Sequence, residues 1–135
     1  MKPVFISHAS NDAAVARGLC QHLEERGLSC WLAPRDIRPS QDWSHAIDTA
    51  IKDASVLVLV FSDTSNKSGR ILAQVELASE QHIPLLWFRI EEIQPVSDLA
   101  AYADASHLVN AVTPPYEAYY AELCDAVLAL QARNS

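Results

Sequence analysis

The chain has 135 residues, half of them apolar, which suits one compact domain with a single core. With 17 acidic against 10 basic residues the net charge is −7, so most of the surface would repel a nucleic-acid backbone. No apolar stretch reaches the roughly 20 residues that cross a bilayer, and the N-terminus lacks a basic and then apolar leader pattern. We therefore expect one cytoplasmic domain over residues 1–135 that binds neither nucleic acid nor a membrane.

Apolar runs alternate with amphipathic segments along the chain, which predicts βαβ units around a parallel sheet. The predicted strands, the last of them weak, are 4–7, 29–32, 55–61, 84–88 and 107–109. The predicted helices are 12–26, a segment beginning after Asp42, 67–82 and 115–132, and the segment 91–106 leaves room for a short helix only. Asn11 or Asp12 can cap the first helix, and Gly27 suits the left-handed residue that ends it.

The three cysteines, Cys20, Cys30 and Cys124, are odd in number, scattered and set among apolar residues. This pattern favours reduced core thiols over a disulfide framework. A zinc site is not expected, because no pair of Cys or His residues has ligand spacing.

Ligands of open parallel sheets bind outside the carboxyl ends of the strands, so the residues that follow each predicted strand are the candidates. Ser7 and Ser10, with the helix beginning near Asp12, offer donors for a phosphate; the alternative is that these three side chains only cap. His8 is expected to be a structural residue rather than a catalyst, because no motif supplies it with a triad.

The polar loop 34–42 carries two prolines and two arginines and precedes a helix that Asp42 can cap. An exposed Ile37 between Arg35 and Arg38 suits a protein contact, since Arg is enriched at such contacts. The alternative is that Ile37 folds back onto the core and the arginines are merely solvated.

Several of these segments together resemble a TIR domain of the bacterial type. The matching phrases are Phe5-Ile6-Ser7-His8-Ala9-Ser10-Asn11-Asp12 for the first strand, Trp31-Leu32-Ala33-Pro34-Arg35-Asp36-Ile37 with Pro39 and Trp43 for the second strand and BB loop, Val56-Leu57-Val58-Leu59-Val60-Phe61-Ser62 for the third strand, and Asn66 with Ser68 for the following turn. The resemblance covers most of residues 1–90. It implies an α/β fold, a flavodoxin-like five-stranded parallel sheet in the order 2-1-3-4-5 with helices on both faces.

The same resemblance implies cleavage of the nicotinamide–ribose bond of NAD, with NAD as substrate and no cofactor, in an antiviral effector. It also implies assembly with other TIR domains into homo-oligomers or filaments, and the domain can be part of a larger sensor-effector protein. The implied substrate-binding residues are Phe5, Ser7, His8, Ala9, Ala33, Arg38, Trp43 and Arg70. The implied self-association residues, in the BB loop, are Arg35, Asp36, Ile37, Arg38, Pro39 and Ser40.

In the family, cleavage depends on a glutamate in the helix after the third strand. Its position, four residues before Ala78 and ten before Pro84, is occupied here by Gln74. Glu76 cannot substitute for the missing glutamate, because about 100° of rotation per residue places it roughly 200° away around the helix. Two further departures are Arg70, where some members carry an aromatic residue, and Ser40, where many carry a glycine.

Cleavage of an N-glycosidic bond passes through an oxocarbenium-like state, which a carboxylate beside the ribose stabilises. Glutamine has nearly the same shape but no charge, and loss of one stabilising group costs on the order of 10²–10³ in rate. Gln74 therefore predicts a disabled NAD glycohydrolase, either engineered or a natural pseudoenzyme. The alternatives are an ordinary solvated Gln74 in a TIR domain without activity, and a non-enzymatic TIR–TIR signalling scaffold. A response-regulator receiver is excluded, because Ser7 and Ser62 stand where its acidic residues would be.

Overall fold

A computed structural model describes residues 2–133 as a five-stranded parallel sheet with helices on both faces. The strands are β1 Val4–Ser7, β2 Cys30–Leu32, β3 Val56–Phe61, β4 Leu85–Arg89 and β5 His107–Asn110. The helices are α1 Ala13–Glu25, α2 Trp43–Lys52, α3 Asp63–Asn66, α4 Gly69–Glu80, α5 Ser97–Ala103 and α6 Tyr120–Arg133, with 3₁₀ turns at Ser10–Asp12 and Tyr116–Tyr119. None of the described helices is both long and apolar enough to cross a membrane.

The order of the strands across the sheet is β2-β1-β3-β4-β5, which confirms the predicted fold class. All five predicted strands are present, each within one residue of its predicted ends. The helix predicted over 67–82 is present as α4, which is two residues shorter at each end, and the short helix α3 before it was not predicted. The side chain of Ser68 sets the start of α4, since its Oγ accepts a hydrogen bond of 3.2 Å from the amide of Ile71.

The two faces of the sheet carry separate cores. Alternate side chains of β3 point to opposite faces: Val58 packs in the cluster with α1 and α6, and Leu57 in the cluster with α2, α4 and α5. All six residues of β3 are buried, which is why the strand reads as a continuous apolar run rather than as an alternating pattern.

The cap predicted for the first helix is wrong. Asp12 stands directly before α1, but its side chain makes no cap hydrogen bond. The side chain is buried instead, and its carboxylate accepts a hydrogen bond from the hydroxyl of Ser62 at the end of β3. The predicted left-handed residue after α1 is confirmed, since Gly27 has a φ of 84°. The cap of α2 is also present: Asp42 Oδ1 accepts 3.0 Å from the amide of His45.

Candidate active site

A cleft of about 280 Å³ opens at the carboxyl end of the sheet, between the end of β1, the loop after β2, and helices α2 and α4. This location agrees with the rule that ligands of open parallel sheets bind at that edge. The residues that line the cleft are Phe5, Ile6, Ser7, His8, Ser10, Ala13, Ala33, Pro34, Trp43, Ile47, Arg70 and Gln74.

A buried hydrogen bond forms the polar floor of the cleft. Ser7 Oγ, at the last residue of β1, donates 2.6 Å to Oε1 of Gln74 on α4. Both side chains are buried, Ser7 at 1% and Gln74 at 8% exposure. The alternative that Gln74 is an ordinary solvated helix residue is therefore wrong. Gln74 is a buried polar group with a specific partner, at the edge of the sheet where ligands bind.

Helix α4 turns Gln74 inward because Ile71, Val75 and Ala78 are buried on the same side of the helix. Leu72, beside this buried side, is only half-buried. Glu76 is also half-buried and is not among the residues that line the cleft. This placement agrees with the expectation that a carboxylate at position 76 cannot replace one at position 74.

His8 joins the end of β1 to the loop after β2. Its Nδ1 lies 2.8 Å from the carbonyl oxygen of Ala9, and its Nε2 lies 3.2 Å from that of Ala33. A neutral imidazole carries one N–H, so it donates to one of the two carbonyls at a time. Within residues 2–133 both ring nitrogens face backbone carbonyls, and neither has a carboxylate or hydroxyl partner.

The rim of the cleft carries two large exposed side chains. Trp43, the first residue of α2, is 51% exposed, and Arg70, in the first turn of α4, is also exposed. Phe5 forms part of the wall and stacks on Trp31, with the ring centroids 5.1 Å apart and the planes 9° apart. Because one edge of the cleft is apolar and the other carries a cation, the rim suits a ligand with both ring and anionic parts.

Two residues predicted to bind substrate lie outside this lining. Ala9 is buried, and Arg38 is exposed on the loop after β2, where its amide donates 3.1 Å to Oε1 of Gln41. Conversely, Ile6, Ala13 and Ile47 line the cleft without having been predicted as site residues. Part of the signal was available, because Ile6 and Ala13 stand next to residues of the predicted site.

The structure also decides between the readings of the β1–α1 turn. The capping reading is wrong for Ser7 and Asp12, since each side chain bonds to a distant element instead. Of the proposed phosphate donors, Ser10 remains exposed at the cleft. The buried carboxylate of Asp12 opposes a second anion at the same helix start.

The first half of the BB loop is fixed by an ion-pair network. Asp36 Oδ2 accepts 2.8 Å from the amide of Leu32, and Arg35 pairs with Asp36 at 2.9 Å and with Glu24 at 3.0 Å. Hydrogen bonds to Asp36 and then to Glu24 raise the pKa of the Arg35 guanidinium above its ordinary value. The arginine is therefore anchored to α1, so the alternative that both arginines are merely solvated is wrong for Arg35, whereas Arg38 is exposed.

Ile37 is a second correction in the BB loop. The residue is half-buried and packs against the core beneath α2 and α4, so its expected exposure for a protein contact is wrong. The exposed part of the loop is its tip, Arg38, Pro39 and Ser40. Any partner would meet these three residues first.

Comparison with solved structures finds the same fold in proteins of low sequence identity. A metazoan TIR-STING receptor from C. gigas in complex with 2′,3′-cGAMP aligns with a TM-score of 0.76 and 21% identity, over 94% of this chain and 39% of that chain. The CMP N-glycosidase BcmB of Clostridium botulinum aligns with a TM-score of 0.64 and 16% identity, over 90% and 98% of the two chains. The TIR domains of the activated Roq1 resistosome, which recognises the pathogen effector XopQ, align at 0.60 and 17%, over 98% and 80%.

These likenesses establish the fold. The present chain spans only 39% of the length of the TIR-STING receptor. Among curated proteins none matches the sequence closely enough to count as a relative. The sequence itself gives the assignment, because residues 4–124 match the TIR domain family. This stretch contains β1 to β5 and the whole cleft with its Ser7–Gln74 floor. The chain belongs to the TIR domain family.

Proposed function

We propose that the cleft binds the nicotinamide riboside end of NAD and that Gln74 occupies the position of the carboxylate that cleaves the nicotinamide–ribose bond. In this proposal the chain keeps the shape of an NAD glycohydrolase site and lacks its charge. The observation that carries the proposal is the buried hydrogen bond from Ser7 Oγ to Gln74 Oε1, 2.6 Å long, at the floor of the cleft.

The direction of this hydrogen bond explains why glutamine and glutamate suit the same position. Ser7 donates to an oxygen of Gln74, and a glutamate at position 74 has an oxygen in the same place. The second carboxylate oxygen would occupy the site of the present amide nitrogen and would accept hydrogen bonds from ribose hydroxyls. Glutamine presents a donor and no charge there. In this mechanism Ser7 positions the side chain at 74, and the missing charge withdraws stabilisation from the oxocarbenium-like state.

The size of the cleft supports binding of one half of the dinucleotide. Pockets for whole drug-sized ligands measure about 300–1,000 Å³, whereas this cleft holds about 280 Å³. The remainder of NAD would extend over the rim. There Trp43 offers an exposed ring face for stacking, and Arg70 offers a cation for the pyrophosphate.

The solved structures add support from outside the chain. The Clostridium botulinum protein is a CMP N-glycosidase, so this fold accommodates an enzyme of N-glycosidic bond cleavage on a nucleotide. The Roq1 TIR domains are part of a resistosome, an assembly, which supports TIR–TIR association as part of the function of this chain. We infer that the exposed tip of the BB loop, Arg38 to Ser40, contributes to that association.

The test is restoration of the charge by Gln74→Glu, with Gln81→Glu as the matched control. Gln81 undergoes the same chemical change at the end of the same helix, but it is exposed and outside the cleft. NAD consumption and nicotinamide release are measured at high protein concentration, with CMP as a second substrate. We expect release of nicotinamide by Gln74→Glu at a rate at least about 10² above that of the unchanged chain and of the control. Equal rates in all three assembled proteins would contradict the proposal. Cleavage of CMP without cleavage of NAD would contradict NAD as the substrate.

A non-enzymatic signalling scaffold is the second candidate, and the neutral side chain of Gln74 favours it. A scaffold would assemble equally well with Ser7 or Gln74 substituted and would show no affinity for NAD. Isothermal titration with NAD on the unchanged chain separates the two candidates, because a disabled enzyme still binds NAD and a scaffold does not.

A further inference from the structure

A second cavity, of about 410 Å³, lies between α1 and the loop after β2, next to the proposed NAD cleft. Cys20 of α1 lines this cavity together with Glu24 and Arg35. Cys30, the first residue of β2, lies close to Cys20 and is not part of the lining. Both cysteines are free thiols, and the two sulfurs and a Glu24 carboxylate oxygen lie within 4.8 Å of one another.

Arg35 places a positive charge among these groups. Its Nη1 donates 3.3 Å to Sγ of Cys20 and 3.0 Å to Oε1 of Glu24, and its Nη2 donates 3.0 Å to the carbonyl oxygen of Cys30. Thiols and carboxylates are metal-ligand types, but a guanidinium within hydrogen-bond distance of two of them opposes a metal cation. A guanidinium beside a sulfur instead stabilises a thiolate.

The two thiols differ in acidity. A hydrogen bond from Cys30, and then the charge of Arg35, lower the pKa of Cys20 against the opposing effect of burial. The hydrogen bond to Cys20 and burial raise the pKa of Cys30. The pair therefore loses its first proton from Cys20, the thiol at the cavity wall, and keeps the proton on Cys30 longer.

We propose that Cys20 and Cys30 are an oxidisable dithiol, in which Cys20 reacts with hydrogen peroxide and Cys30 then closes an intramolecular disulfide. The Cys20 thiolate attacks one peroxide oxygen, the O–O bond breaks, and hydroxide leaves; the product is a sulfenic acid. The sulfur of Cys30 attacks that of Cys20, the S–S bond forms, the S–O bond breaks, and water leaves with the proton of Cys30. The dithiol supplies two electrons and the peroxide takes them.

The positions of the sulfurs permit this bond. A disulfide needs about 2 Å between sulfurs, so two groups within 4.8 Å must approach by rotation of their side chains. Cys20 lines the cavity and Cys30 does not, so an oxidant that enters the cavity meets Cys20 first. Because α1 already packs on β2, the two sulfurs are brought close without movement of a loop.

Oxidation of this pair would change contacts in the BB loop and at the wall that the cavity shares with the NAD cleft. Arg35 loses its contact with an ionisable thiol at Cys20, and its remaining partners are Glu24, Asp36 and the Cys30 carbonyl. The two cavities share a wall, because His8, Ala13, Ala33 and Pro34 line both of them. The inference does not depend on the proposed NAD cleavage, because the dithiol lies outside the residues assigned to that reaction.

The experiment uses Cys124 as the internal control, because Cys124 is an equally buried thiol on α6. The folded protein is treated with hydrogen peroxide after removal of metals by a chelator. Loss of two hydrogens is followed by intact mass, and the linked peptides are mapped under non-reducing conditions. We expect a Cys20–Cys30 link that dithiothreitol reverses, forming at least roughly tenfold faster than any oxidation of Cys124.

Three variants test the assigned roles. Cys30→Ser should stop at a Cys20 sulfenic acid that dimedone traps, Cys20→Ser should remove the fast phase, and Arg35→Gln should slow it at least about threefold. Circular dichroism checks that each variant is folded, and dimedone trapping on the unchanged chain supplies the assignment if Cys20→Ser does not fold. Oxidation of Cys124 at the same rate as Cys20, or disulfides only between molecules, would overturn the proposal.

Discussion

Ser7 and Gln74 are 67 positions apart in the sequence, yet the Ser7 hydroxyl donates a buried hydrogen bond of 2.6 Å to the Gln74 side-chain oxygen. This bond joins the end of β1 to the middle of α4 and fixes the orientation of the side chain at the floor of the cleft. Both the stability of the domain and the proposed chemistry depend on the same contact.

Ser7→Ala should lower the free energy of unfolding by about 1–2 kcal/mol, because it leaves the buried Gln74 oxygen without its donor. Ser10→Ala is the matched control: Ser10 lines the same cleft but is exposed, so its loss should change stability by less than about 0.5 kcal/mol. Urea denaturation measures both. Equal effects of the two substitutions would mean that the Ser7–Gln74 bond adds no stability.

Asp12→Ala should be more costly, at about 2–3 kcal/mol, because hydrogen bonds to charged groups are stronger. Its buried carboxylate accepts a hydrogen bond from the Ser62 hydroxyl, so the substitution removes a bond between the start of α1 and the end of β3. Asn11→Ala removes an exposed bond of 3.0 Å to Thr64 one position earlier and should cost under about 0.5 kcal/mol. Thermal unfolding of the two variants gives the comparison, and a mild Asp12→Ala would show that the contact is not essential.

Gly18→Ala should destabilise the domain by about 1–3 kcal/mol through overpacking. A Cβ at Gly18 would lie 2.6 Å from Oη of Tyr120, and the next atom of that ring is 3.7 Å away, an ordinary contact. Removal of the hydroxyl should therefore reverse the sign: in a Tyr120→Phe background, Gly18→Ala should be neutral or stabilise by up to about 1 kcal/mol, since alanine is the better helix former. A double-mutant cycle from chemical denaturation tests this reversal, and additive effects would contradict it.

Tyr120 should also give a pH signature. Burial, and then the charge of Glu117, raise the pKa of Tyr120 above its ordinary value of 10.0. The unfolded chain ionises first as the pH rises, so the contribution of Tyr120 to stability is full below pH 10 and is lost as the pH rises through the folded pKa. The difference in unfolding free energy between the unchanged chain and Tyr120→Phe should be constant from pH 8 to about pH 10 and should change between about pH 10 and pH 11. A difference that is constant with pH would contradict the raised pKa.

Substitutions at the two arginines of the BB loop should have different effects, one on stability and the other on assembly. Arg35→Ala removes the pairs with Glu24 and Asp36, which are partly exposed, and should cost about 1 kcal/mol. Arg38→Ala removes an exposed side chain at the loop tip and should leave stability within about 0.5 kcal/mol. In sedimentation at high protein concentration, Arg38→Ala should weaken self-association more than a matched exposed substitution, Arg17→Ala on α1. Equal association by both variants would remove Arg38 from the interface.

The sequence by itself determined the fold class and the edge of the sheet that carries the site. Five short apolar runs between amphipathic segments specify buried parallel strands, because helices cover both faces of such a sheet. These runs can be recognised in the sequence because each depends only on residues that are neighbours in the chain. Gly27 and Asp42 were also readable, since a left-handed residue and a helix cap depend on neighbours within three positions. The importance of position 74 came from resemblance, and the sequence pattern alone left its burial open.

Only the tertiary structure decided which polar groups meet. Ser7 bonds to Gln74, and Asp12 to Ser62, across 67 and 50 positions, so the register of the strands and the rotation of the helices settle their partners. Ile37 turned inward because the core beneath α2 and α4 accepts its side chain. Cys20 and Cys30 were expected to be separate core thiols, yet the packing of α1 on β2 places them within 4.8 Å. Local sequence patterns do not predict such distances, because the groups come together only when the chain folds.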